Sequence, residues 1–211
     1  MLLVAGVDPG VNGAVGLWDV DANKLFSVIP LPHYTVMVGK MERTRLDEIE
    51  LVALFKCFFA MGVKLVGIEN VQGGNYGGKK QSASGAFQFG YTFGLLRMAA
   101  LANGMEIDAA SPAVWKLREQ VPASAKGIVL LADKAFPEFT HMWHGPKGGL
   151  LHDRADAAFL ARYFGQRIWP SMQPREGLRT LALGVGKDVP ALKTYGKVTI
   201  VKPKRTRRPK P

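Results

Sequence analysis

Cysteine is almost missing: the 211 residues contain one, Cys57. A single thiol closes no internal disulfide, so nothing points to an oxidising compartment. Cys57 lies in an apolar run, 54–61, and is expected to be a small buried residue. Long hydrophobic runs are also absent, and none approaches the roughly 20 residues that a bilayer span needs. The apolar start, Met1 to Val7, lacks a basic leading region and reaches Asp8 too early for a secretory leader. No internal repeat at periods of roughly 20–50 residues is present. Acid is scarce as well: 17 Asp and Glu stand against 28 Lys and Arg, a net charge of +11. Together these predict a cytoplasmic chain of one domain with an extension, and no membrane partner.

The basic excess is unevenly placed. Residues 187–211 hold nine basic side chains and one acid, or +8, which leaves +3 for residues 1–186. Lys204, Arg205, Arg207 and Arg208 lie between Pro203 and Pro209, where a helix is disfavoured. Such a segment is expected to be a disordered arm that holds nucleic acid without sequence preference. The compact domain is expected over residues 1–170, and residues 171–211 form the extension.

Hydrophobic periodicity orders the domain. Short apolar runs at 2–7, 14–20 and 25–29, joined by turn-forming residues, predict a three-stranded antiparallel meander. A helix is predicted over 47–61, with Ile49, Val52, Ala53, Leu54 and Phe58 as its apolar face. The run 63–68 then reads as a buried, parallel strand ending at Glu69. Residues 73–82 are rich in glycine and lysine and read as a mobile loop. A long helix over 86–103, a strand over 105–110, a short helix opened by Ser111-Pro112 and a helix over 124–136 follow. Residues 141–149 read as a loop, before a last helix over 152–164 with Ala157, Leu160, Ala161 and Phe164 inward. The fold class is therefore α/β: a mixed sheet, an antiparallel meander plus parallel strands, flanked by helices.

Four acids stand at places where strands and helices end. Asp8 closes the first strand and Glu69 the buried one. Asp153 and Asp156, three residues apart, share one face of the last helix. Hard cations such as Mg²⁺ take oxygen ligands, and two ions about 3.5–4 Å apart can activate water for phosphodiester hydrolysis. Taken singly, each acid also suits a plain structural place, at a strand end or in a helix's first turn. Spacing alone leaves both readings open.

The local context adds a resemblance. Gly6-Val7-Asp8-Pro9-Gly10-Val11-Asn12-Gly13-Ala14-Val15-Gly16 resembles the opening strand of RuvC-type Holliday junction resolvases, of the RNase H-like superfamily. Val66-Gly67-Ile68-Glu69 resembles that family's second acidic strand, and Asp153-Arg154-Ala155-Asp156-Ala157-Ala158 its closing helix. The three motifs stand in family order over roughly residues 1–165. The resemblance implies that Asp8, Glu69, Asp153 and Asp156 bind two Mg²⁺ ions, replaceable by Mn²⁺, and form the catalytic set. It implies a homodimer that cuts four-way DNA junctions by paired symmetric nicks. The small size and basic tail suit a phage or mobile-element member.

The chain also departs from that pattern. Bacterial members often carry an aromatic residue three places after the strand acid, where this chain has Gln72; Tyr76, further along the loop, is the candidate to take its place. Lys79 and Lys80 on the glycine-rich loop, with Lys116 and Lys126 in segments resembling the family's basic region, are candidate DNA contacts. Gly73 to Lys79 comes close to a nucleotide-binding P-loop, but Lys80 stands where Ser or Thr must hold Mg²⁺, so no nucleotide cofactor is expected. His141, His144 and His152 lack a paired zinc-ligand motif, and His152 either orients water or caps its helix. The alternatives are an RNase H-like nuclease acting on flaps, other branched DNA or RNA–DNA hybrids, and a DNA-binding protein with an inactive site.

Overall fold

The computed structural model describes residues 1–70, 75–76, 79–80 (backbone only for these two pairs) and 82–168. The predicted meander is present as β1 (Leu3–Val7), β2 (Ala14–Asp19) and β3 (Lys24–Pro30). Asn23 takes a positive φ of 49° in the turn that joins β2 to β3. A hairpin that the sequence reading did not anticipate follows, β4 (His33–Val38) and β5 (Met41–Leu46). Among the described residues its two strands pair with each other alone. Asp47 caps α1 (Glu48–Ala60), accepting from the Glu50 amide at 3.1 Å, and the chain returns as β6 (Val63–Glu69).

Within the glycine-rich loop the backbone forms two two-residue strands, β7 (Asn75–Tyr76) and β8 (Lys79–Lys80), paired antiparallel. Ser82 then caps α2 (Ala83–Ala102) through the Gly85 amide at 3.0 Å. β9 (Glu106–Ala110), α3 (Pro112–Arg118) and α4 (Ala125–Ala135) occupy the predicted places. The expected loop at 141–149 instead begins inside a short helix, α5 (Thr140–Trp143). The last helix, α6 (His152–Ile168), runs four residues past its predicted end.

The main sheet has the order β3-β2-β1-β6-β9, with β1–β3 antiparallel and β6 and β9 parallel to β1. Its two faces carry different layers, because successive strand residues point to opposite sides. Leu3, Ala5, Val7, Val66 and Ile68 pack against α1 and α2, while Val4, Trp18 and Leu65 pack against α4 and α6. On α1 the buried stripe is Leu51, Phe55 and Phe58, whereas Ile49 and Val52 are exposed. The helix is rotated from the predicted face because the bulky Phe55–Phe58 pair takes the core side. The same rotation leaves Cys57 exposed, contrary to the expectation that it is buried.

One feature sets the position of α6. Gly16, Gly6 and Gly67 are register partners on three adjacent strands and form a row of missing side chains across the sheet. A Cβ on Gly6 would lie 2.1 Å from the Ala161 nitrogen, and one on Gly16 would lie 2.4 Å from the Ala157 oxygen. A Cβ on Gly67 would meet the Phe164 ring at 2.0 Å. Glycine in the sheet and alanine in the helix thus let α6 lie directly on the strands, its residues 155–165 almost wholly buried.

Candidate active site

The same alternation that places the glycines places two acids. Val4, Gly6 and Asp8 share the α6 side of β1, and Leu65, Gly67 and Glu69 share that side of β6. Val7 pairs with Ile68, so Asp8 and Glu69 leave the ends of neighbouring parallel strands, about 4.8 Å apart in strand spacing. Asp8 stays within a tight turn: its Oδ1 accepts from the Gly10 amide at 2.9 Å, and its own amide donates to the Ala14 carbonyl at 3.1 Å. Gly13 is required there, since a Cβ would sit 2.1 Å from the Asp8 carbonyl oxygen.

The first turns of α6 bring Asp153 and Asp156 to the same end of the sheet. Asp156 is buried, and its Oδ2 takes Lys116 Nζ at 3.2 Å. Its Oδ1 is buried and has no hydrogen-bond partner among the described residues. Glu69 is likewise buried, and its Oε1 accepts from the indole of the fully buried Trp115 at 2.9 Å. Asp153 is more open and faces His152 Nε2 at 3.1 Å.

Electrostatics register the convergence. Burial raises the Asp8 carboxyl well above the usual range, and the neighbouring charges of Glu69, Asp153 and Asp156 add to the rise against the Gly10 hydrogen bond. Glu69 is raised by burial and by Asp156 and Asp153, with Trp115 and Lys116 opposing. Asp156 is raised by burial and by Asp153, although Lys116 and His152 pull it down. Among the described residues, Lys116 and His152 are the cationic side chains that act on these four acids.

That grouping bears on a metal. Among the described residues no group of three His, Cys, Asp or Glu side chains stands gathered tightly enough to hold an ion as it is. The donor chemistry nevertheless fits a hard divalent cation. All four groups offer oxygen, and Asp156 Oδ1 is a buried acceptor lacking a donor, as an ion's ligand is before the ion arrives.

The structure thus brings Asp8, Glu69, Asp153 and Asp156 to one place. It sets Lys116 against Asp156 inside the cleft, whereas Lys126 is exposed in the first turn of α4. For Lys79 and Lys80, and for Tyr76, only the backbone is described; Lys204, Arg205, Arg207 and Arg208 lie outside the described residues. His144 pairs with Asp133 at 3.1 Å, beside Trp143. Trp115 was not anticipated, since nothing in the short segment 112–118 marks its indole as a partner for an acid 46 positions earlier.

The strand order and the helices on both faces define an RNase H-like fold, with a carboxylate site at the ends of its two central strands. No family model matches the chain, and no curated protein matches it in sequence. Among solved structures it is similar to *Thermus thermophilus* RuvC in complex with a Holliday junction substrate, at 15% identity and a TM-score of 0.48, over 79% of this chain and 96% of that one. A second *Thermus thermophilus* RuvC structure gives 15% and 0.46 over the same shares. The yeast mitochondrial Holliday junction resolvase gives 10% and 0.40, over 77% of this chain and 78% of that one.

Proposed function

We propose that the chain is a metal-dependent endodeoxyribonuclease that resolves four-way DNA junctions by paired nicks. The observation that carries the nuclease reading is that Asp8, Glu69, Asp153 and Asp156, from three separate segments, converge closely enough for their charges to raise the carboxyls of Asp8, Glu69 and Asp156. The junction as substrate rests on the three motifs that resemble RuvC-type resolvases in residues 6–16, 66–69 and 153–158.

In this reading Asp8, Glu69, Asp153 and Asp156 hold the ions. Two Mg²⁺ or Mn²⁺ ions held there would ease deprotonation of water and would offset charge on the phosphate oxygens. The chain's own groups set the rest. Trp115 fixes Glu69 through its Oε1. Lys116 holds Asp156 Oδ2 and leaves Oδ1 open. His152, beside Asp153, can carry a proton at Nε2. Water oxygen adds to phosphorus, the P–O3′ bond breaks, and the products are a 5′-phosphate and a 3′-hydroxyl that a ligase can rejoin.

Comparing a synthetic four-way junction with a flap, a linear duplex and an RNA–DNA hybrid tests the assignment. In Mg²⁺ the junction is expected to be cut fastest, by at least about tenfold or ~1.4 kcal/mol, and EDTA to stop cutting. Equal cutting of all four substrates would remove the junction assignment while keeping a nuclease.

Paired nicks need two sites, which a homodimer supplies. The outer faces of α1 and α2 expose Val52, Phe59, Met98 and Leu101, an apolar surface that suits a second copy. Light scattering is expected to give twice the 23.0 kDa chain mass, and Met98→Glu with Leu101→Glu to give the monomer. That monomer should leave nicked junctions rather than paired cuts. A wild-type monomer in solution would exclude this arrangement.

A further inference from the structure

The β4–β5 hairpin takes no part in the main sheet and adds nothing to the acid site, yet it is rooted beside that site. Asp8 bonds to Ala14, Ala14 pairs with Pro30 at the end of β3, and the Leu31 amide bonds to the Gly13 carbonyl at 2.9 Å. The hairpin leaves from there and returns at Asp47, whose amide donates to the Pro32 carbonyl at 2.9 Å. Its root is thus two strands from β1, about 10 Å from Asp8 in strand spacing. Six residues per strand make a ribbon about 20 Å long.

Its composition suits neither a core nor a solvated edge. Pairing sets Tyr34 opposite Arg45 and Val36 opposite Arg43, so one face is a ladder of an aromatic ring, a valine and two guanidinium groups. Lys40 and the exposed Met37, Val38 and Met41 form the tip, where Gly39 takes a positive φ of 65°. Among the described residues none of Lys40, Arg43 and Arg45 has a carboxylate within salt-bridge distance. Asp47 caps α1 and Glu48 accepts from the Tyr91 hydroxyl, while Glu42, the acid of the ribbon itself, pairs with Met37 and so lies on the face opposite Arg43 and Arg45. An isolated two-stranded ribbon is marginal in water and gains from a partner. Arg45 Nη1 donates to Gln88 Oε1 at 3.4 Å, a neutral partner that leaves its charge unpaired among the described residues. Such cations beside an exposed ring and an apolar tip match a phosphate backbone and its sugar and base edges. A two-stranded ribbon also has the width that a duplex groove admits.

We propose that β4–β5 is a DNA-contact ribbon that holds the duplex arm next to the cut, with Arg43 and Arg45 on its phosphates and Lys40 at its tip. This rests on the nuclease reading for its substrate but acts on binding, so the two can fail separately. The test measures the affinity of the full chain for a labelled four-way junction across a salt series, with Ca²⁺ replacing Mg²⁺. Arg43→Gln with Arg45→Gln should lower the slope of log affinity against log salt by about 2 and weaken binding about tenfold near 0.1 M salt. Lys40→Gln should lower the slope by about 1. Lys64→Gln, on the opposite end of β6, should change neither.

An unchanged slope in both variants would overturn the ribbon while leaving the nuclease reading intact. A double variant that alters the solution mass of the free protein would overturn it in favour of an interface between copies. A wild type that binds with the expected slope but does not cut would overturn the nuclease reading alone.

Discussion

Asp8→Asn is expected to reduce junction cleavage by about 10³-fold or more, a loss of ~4 kcal/mol in transition-state stabilisation, while leaving junction binding in Ca²⁺ nearly intact. The side chain keeps its shape, so the Gly10 amide retains an oxygen to bond. What disappears is a charge that Glu69, Asp153 and Asp156 all repel. The same variant should stabilise the metal-free protein by about 1 kcal/mol, roughly 2–4 °C in melting temperature. The sign follows from the raised carboxyls: the folded state binds protons at Asp8, Glu69 and Asp156 more tightly than the unfolded chain does. The metal-free protein therefore gains stability as pH falls from those raised values towards the ordinary carboxylate range near 4, and loses it as pH rises. Asp8→Asn should flatten that dependence and reduce the rise in melting temperature on adding Mg²⁺. Full cleavage by the variant would remove Asp8 from the catalytic set; an unchanged melting profile would show that its charge is not held at a disadvantage.

Gly6→Ala is expected to be the most damaging single methyl group in the chain. The added carbon would meet the Ala161 nitrogen at 2.1 Å, and backbone atoms on both sides leave no flexible side chain to yield. Relief requires α6 to lift from the sheet, at a cost of about 3 kcal/mol and a fall of roughly 6–12 °C in melting temperature. Because α6 carries Asp153 and Asp156, whatever fraction still folds should also cut poorly. A melting temperature within about 2 °C of wild type would mean that the helix has slack that the close approach denies.

Much of this was legible from the residues. Alternation placed the meander, the buried strand and the acids at strand ends, and caps such as Asp47, Ser82 and Ser124 started helices close to where they were expected. What escaped had a common cause: it depends on neighbours distant in the chain. Phe58 is buried as expected, but only the sheet decides that Leu51 and Phe55 join it while Ile49, Val52 and Cys57 turn outward. The ribbon was missed because its exposed faces mix Tyr34, Met37, Arg43 and Arg45 and show no clean hydrophobic alternation. Trp115 and Lys116 were hidden as site partners because their acids lie 46 and 40 positions away. Residues 169–211, with the basic tail, lie outside the described structure.

The row of glycines has a consequence for how the site tolerates change. In most α/β layers a cushion of side chains separates helix from sheet, and the spacing drifts as that cushion is repacked. Here, at Gly6 and Gly16, peptide planes meet the Ala161 and Ala157 backbone with no such cushion. The separation between the acids of the strands and those of α6 is thereby ruled by covalent geometry. Substitutions in the aromatic layer beneath α1 can soften the protein without detuning the carboxylates above it.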